Sequence, residues 1–187
     1  MPPKVKITKE DIVRTALEIV RRHGADALNA RNVAAALGCS TQPVFSNFAA
    51  MDQLHLAVIR EATCLVDTFI RQEVEGGKYP PYKASGMAYI RFAKEEGELF
   101  KLLYMCDRKG AILPEDFTLN HAMEALVHRN TGLSAEAAQL FHLEMWAFVH
   151  GIATMFATRF LDLDWELVSK MLTDTYLGLR KQYGMEE

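Results

Sequence analysis

The sequence predicts an all-α fold, and three observations carry that prediction. Helix start and stop signals follow one another from end to end of the 187 residues, no stretch sustains a period-2 run of β-branched residues, and apolar residues recur at helical spacing. Half of the residues are apolar, enough for a sizeable core in one large domain or two small ones. No internal repeat or low-complexity tract interrupts the pattern.

The first helix opens on a cap. Thr8 takes the N-cap, Asp11 answers its backbone N–H, and Ile7 faces Ile12 as a hydrophobic staple. Its apolar face is Ile12, Ala16, Ile19 and Val20, and Gly24 ends it in a conformation that other residues avoid. A short second helix starts after Asn29, with Leu28 stapled to Val33, and stops at Gly38. Ser40 is expected to cap a short third helix, with Pro43 in the first turn where a missing N–H costs nothing. Val44 and Phe48 are its inward residues. A long amphipathic helix over 51–75 then buries Leu54, Val58, Ala62, Leu65, Val66 and Phe69.

Gly76, Gly77, Pro80 and Pro81 form the strongest break in the chain, too short for a flexible linker. Beyond it, helices are expected near 83–96, 98–105, 115–130, 135–161 and 164–183, the last two capped by Ser134 and Asp164. The division follows: a three-helix domain over 1–50 and a larger helical domain over 51–187, of which 51–75 is the connecting helix.

Composition narrows the function. Residues 1–60 carry eight Lys or Arg against five Asp or Glu, while 61–187 carry thirteen against nineteen, so the net charge of −3 hides a small positive end. Sixteen of the aromatic residues lie beyond residue 60, where only Phe45 and Phe48 precede them; rings in that number suit a pocket or a subunit seam. Cys39, Cys64 and Cys106 form neither a CxxC pair nor an even disulfide set, and are read as packing residues in a reducing compartment. No apolar h-region follows Met1, and the uncharged stretch 145–158 is too short to span a bilayer, so a cytoplasmic location without a membrane span is expected. An enzyme is not expected: there is no Glu-x-x-His for a carboxylate-bridged metal site, no GxSxG, no HExxH and no glycine-rich phosphate loop. No cofactor or metal is expected either.

Two short helices joined by Leu37-Gly38-Cys39-Ser40, the second polar on its outer side, have the spacing of a helix-turn-helix. The full run from Ile7 to Leu54 resembles the N-terminal domain of TetR-type transcriptional regulators. It includes Ala27-Leu28-Asn29-Ala30-Arg31-Asn32-Val33-Ala34, Val44-Phe45-Ser46-Asn47-Phe48 and Asp52-Gln53-Leu54. The resemblance implies that Thr41, Gln42, Pro43 and Phe45 face base edges and phosphates in the major groove, with Asn47 at the backbone. The residue types agree. Gln42 can pair bidentately with adenine, Thr41 and Pro43 can touch a thymine methyl, and Arg31 can meet a guanine or a phosphate. The helix starts at Thr8, Asn29 and Ser40 offer N–H groups to phosphate oxygens. Two positions depart from the family pattern, Phe45 where tyrosine is usual and Met51 where lysine is usual. A phosphate-bonding hydroxyl and a cation are thereby lost, which implies weaker binding or a shallower salt dependence. Phe45 also has a second reading, as a core residue of the three-helix domain.

Trp146-Ala-Phe-Val-His150-Gly151 resembles a C-terminal subtype of the same family marked by Trp, His and Gly. The resemblance implies a homodimer through the last two helices, with Gly151 at a close approach, and a pocket for an unidentified small-molecule effector. Tyr89, Phe92, Phe100, Tyr104, Met105, Met123, Trp146 and His150 are the candidate lining, and each is equally a candidate for plain core. His150 can bond a ligand or a core carbonyl, while His121, His128 and His142 are expected to be solvated. The implied function is a repressor released from double-stranded operator DNA by its effector. The alternative is a helical adaptor that binds a protein partner instead of DNA.

Overall fold

The computed structural model describes residues 7–105 and 118–185. Helices and turns account for its regular structure, and no strand occurs among the described residues. Cys106, residues 115–117 of the expected middle helix and the side chain of His121 lie outside what is described. The chain divides into two compact units, and the division falls inside the long helix after Leu65.

The first unit begins with α1 (Lys9–His23), α2 (Ala30–Ala36) and α3 (Gln42–Asn47). It continues into the first part of α4 (Met51–Glu75) and includes a later helix, α6 (Gly97–Tyr104). Thr8 and Asp11 make the expected capping box, each answering the other's backbone N–H at 3.1 Å. Ile12, Ala16 and Val20 line the buried face of α1 and are fully inaccessible, whereas Ile19 is half-buried. Gly24 takes φ +81 and ψ 171, outside the left-handed helical region expected for a C′ residue yet still at a φ that suits glycine. A Cβ there would also stand 3.1 Å from the Glu98 carboxylate of α6. α6 meets α1 again where the Arg21 guanidinium bonds Glu96 at 2.7 Å.

The turn after α2 is a Schellman motif: Cys39 N–H donates to the Ala34 carbonyl and Gly38 N–H to that of Ala35. Gly38 supplies the left-handed residue at φ +66. α4 runs from Met51 to Glu75 as its periodicity predicts, with Leu54, Val58, Ala62 and Val66 fully buried along one face.

The second unit takes the rest of α4 with α5 (Pro81–Glu95), α7 (Thr118–Thr131), α8 (Ala135–Ala157) and α9 (Trp165–Gln182). Pro81 opens α5, two residues before the expected start, because proline's fixed φ and missing N–H suit the first helical position. Ser134 caps α8 by accepting from Ala137 N–H, and Asp164 caps α9 by accepting from Glu166 and Leu167 N–H. α8 stops at Ala157, four residues short of the expected 161. There Arg159 turns to φ 56 and Phe160 N–H closes back on the Met155 carbonyl at 2.9 Å, a left-handed C-terminal turn made without glycine. A core of Val127, Ala138, Phe141 and Met145 is flanked by Tyr82, Tyr176 and Tyr183. Buried Glu73 at the end of α4 is paired with Arg91 of α5. Among the described residues α8 alone is long and apolar enough to cross a membrane by length and composition, and 44% of that window is buried against the rest of the protein.

Gly24→Ala is expected to destabilise the protein by about 1–3 kcal/mol, since the methyl meets Glu98 and the backbone φ is unfavourable to alanine. A thermal melt reads this as a lowered Tm.

Candidate functional site

α3 has six residues, too few to be stable alone, so tertiary burial must hold it. Val44 is fully inaccessible and Phe48 is 2% exposed, with the Lys9 ammonium 5.0 Å from the Phe48 ring centroid. Between these anchors the chain turns Phe45 outward, 52% exposed, which removes the core reading of that ring. Gln42 is exposed beside it, and Thr41 and Pro43 are half-buried.

The N-cap of α3 is Thr41, not Ser40. The Thr41 carbonyl accepts from Phe45 N–H at 3.2 Å, and no side chain caps this end. The Schellman turn carries the chain one residue further than a capping serine would require, leaving Ser40 exposed before the helix. Two polar residues of α3 are turned back on their own helix: Ser46 Oγ donates to the Gln42 carbonyl at 2.9 Å and Asn47 Nδ2 to that of Pro43 at 2.8 Å. Asn29 and Thr8 keep their side chains for capping. Arg31, exposed on α2, has no ion pair or hydrogen bond among the described residues. Met51 opens α4 half-buried, without the charge that a lysine would bring.

The eight ring and thioether candidates divide between the two units. In the first unit Phe100 is fully buried and packs on Tyr104 at 5.0 Å between centroids, while Met105 is 45% exposed and so is not a lining residue of an interior. In the second unit Phe92 is fully buried with Phe69 edge-on at 5.5 Å, and Met123 is half-buried. Tyr89, His150 and Trp146 come together. The Tyr89 hydroxyl and His150 Nδ1 share a hydrogen bond of 3.0 Å, and the Trp146 indole stacks on the imidazole at 4.8 Å and 20°.

A second tyrosine–histidine pair lies further along the same two helices. The Tyr82 hydroxyl and His142 Nδ1 share a hydrogen bond of 3.0 Å, and His142 is 9% exposed rather than solvated as expected. The residue sits on the face of α8 that carries Phe141 and Met145 inward, a placement that its polarity does not reveal. Its Nε2 is buried without a hydrogen-bond partner, an arrangement that costs about 1–3 kcal/mol. Burial lowers the imidazole pKa below its usual 6.5, partly offset by Glu124. Burial, with a smaller contribution from Tyr176, raises the Tyr82 hydroxyl well above its usual value. Both groups are therefore neutral at pH 7. The recurrence about two turns apart of Tyr82 and Tyr89, and of His142 and His150, is a signal available in the sequence. His128, by contrast, is exposed as expected, its Nδ1 bonded to the Leu133 carbonyl at 2.6 Å.

The outer faces of α8 and α9 carry a further feature. Leu140 and Leu143 of α8 are 51% and 55% exposed, and Leu167 and Leu177 of α9 are 46% and 41% exposed. On the same helices a Cβ at Gly151 or Gly178 would meet nothing within 4 Å. No cluster of three or more His, Cys, Asp or Glu side chains suited to a metal occurs among the described residues.

No protein-family model matches the chain, and no curated protein matches it in sequence. The functional reading therefore rests on the residues themselves.

Phe45→Ala is expected to change stability by no more than about 0.5 kcal/mol, whereas Phe48→Ala costs about 3–5 kcal/mol; urea unfolding of the two variants checks the contrast. His142 sets a pH dependence. Because its folded pKa lies below the unfolded 6.5, the unfolded chain binds more protons between the two values. Stability is thus full above about pH 6.5 and falls as the pH drops from there toward the folded value, by at most about 1.4 kcal/mol per unit. His142→Gln is expected to flatten that part of the curve, measured by urea unfolding between pH 7.5 and 5.

Proposed function

We propose that the chain is a homodimeric, ligand-responsive transcriptional regulator that binds operator DNA through α3 and acts in the cytoplasm as a repressor. The observation that supports it most is the division of α3 and its C-cap into buried residues, Val44 and Phe48, and exposed ones, Gln42 and Phe45. A short helix held from below and open above has what insertion into a major groove requires. The unpaired Arg31 on the neighbouring helix suits a phosphate or a flanking guanine. The resemblance of residues 7–54 to the TetR-type DNA-binding domain points the same way.

The exposed leucines of α8 and α9 support self-association: a two-fold axis would bury the same patch from both copies, and Gly151 and Gly178 would admit close backbone approach. Tyr89, His150 and Trp146 support a sensor role for the second unit, since they gather rings and hydrogen-bonding groups, the residue types that line small-molecule sites, between α5 and α8. In this reading effector binding shifts α4, which changes the separation of the two recognition helices and weakens their fit to paired half-sites. A coupling of about 1–3 kcal/mol suffices, and operator DNA must weaken effector binding by the same factor.

An adaptor that binds a protein partner is the second reading. It is favoured by the 52% exposure of Phe45 on a helix that carries no cation.

Fluorescence anisotropy with duplex DNA from the region upstream of the protein's own gene separates the two. The regulator binds with steep salt dependence; Arg31→Ala reduces the salt slope by about 1, and Gln42→Ala weakens specific binding by about 1–3 kcal/mol. Leu143→Asp combined with Leu177→Asp yields monomers in sedimentation and lowers duplex affinity. An adaptor shows no salt-dependent duplex binding.

A further inference from the structure

We propose that the base pairs directly beneath α3 in each half-site are A·T pairs, with adenine read by Gln42 and thymine methyls read by Phe45 and Pro43. The inference rests on the DNA-binding reading and specifies its partner.

The argument is one of chemical inventory. In the major groove, guanine is read by the paired donors of Arg or Lys, cytosine by an Asp or Glu acceptor, adenine by the amide of Asn or Gln, and the thymine methyl by apolar groups. α3, Gln42-Pro43-Val44-Phe45-Ser46-Asn47, has no cation and no carboxylate. Guanine and cytosine therefore lack their strongest readers along its whole length. Of its polar side chains, Ser46 and Asn47 already donate to carbonyls of the helix. The Asn47 amide thus has a donor engaged away from the groove, and the Gln42 amide, exposed and unbonded among the described residues, is the adenine reader that remains.

Phe45 completes the pattern. The residue has 52% of its surface exposed, next to Val44, which is fully inaccessible. In water that surface is unfavourable, and a thymine methyl is the apolar group that a major groove offers it. Pro43, half-buried on the same helix, adds a second apolar contact. The hydroxyls of Ser40 and Thr41 can serve any base edge and do not alter the preference. Arg31 belongs to α2, so a guanine that it meets lies outside the α3 footprint. A six-residue helix is about 9 Å long, and at about 3.4 Å per base pair the A·T run covers about three pairs.

The test starts from duplexes with a randomised central segment of about 20 base pairs, selected on the full-length protein and sequenced. The expected result is a pair of half-sites, each with a run of about three A·T pairs. Anisotropy then compares the selected duplex with one in which deoxyuridine replaces thymidine in that run, a change that removes only the methyl groups. The wild-type protein is expected to lose about threefold to fivefold in affinity per contacted methyl, and Phe45→Ala is expected to lose less on the replacement than the wild type, the Pro43 contact remaining. Gln42→Ala is expected to reduce discrimination against G·C in the run by about tenfold. Circular dichroism confirms that both variants fold. Selection of G·C pairs under α3, or equal affinity of the wild type for thymidine and deoxyuridine duplexes, overturns this inference and leaves the DNA-binding reading standing. Failure to retain any duplex at low ionic strength overturns both.

Discussion

The burial of Val44 and Phe48 beneath a six-residue helix is the constraint on which the first unit depends. A helix of that length gains too little from its own hydrogen bonds to outweigh the entropy of ordering it. Its position is therefore set from outside, by the apolar face of α1, by α2 across the Schellman turn, and by Lys9 lying over the Phe48 ring. One consequence is geometric. With Val44 inward on the helix and Phe48 inward just past its end, Gln42 and Ser46 fall on the outer side, and Phe45 lies beside them with 52% exposed.

A different balance governs the second unit. Its helices are long enough to be amphipathic, and α5 and α8 meet over an apolar core that admits two tyrosine–histidine hydrogen bonds. The rung at His142 is closed to water and leaves one nitrogen unbonded; the rung at His150 is half-buried and covered by Trp146. The same motif thus lies in two environments, one that keeps its imidazole neutral by burial and one roofed by a stacked ring. Outside this core, the leucines on α8 and α9 leave an apolar surface that a single copy does not cover.

What the sequence made legible was local. Thr8, Asn29, Ser134 and Asp164 cap their helices because a short acceptor before an apolar period has few other uses, and Met51–Glu75 follows from one uninterrupted stripe. Gly38 and the Gly-Pro break mark turns for equally local reasons. Ser40 failed as a cap because the preceding turn, not the serine, sets where α3 begins. The burial of His142 depends on Tyr82, sixty residues away, and α6 joins the first unit through buried Leu99 and Phe100 and the Arg21–Glu96 pair, whose partners no local periodicity encodes. The candidate interface was readable because α3 is built from near neighbours. The candidate sensor was readable only as a set of rings, of which three came together and Met105 turned to solvent.

The central claim is that the outward side of α3 is a duplex-reading surface. Amide NMR of the full-length protein, titrated with promoter duplex at low ionic strength, tests it most directly. The account predicts that the resonances of Arg31, Gln42, Phe45 and Ser46 shift first and saturate together, while those of the buried Phe141 core stay in place. Duplex-induced shifts confined to other surfaces, with the α3 resonances unmoved, contradict it.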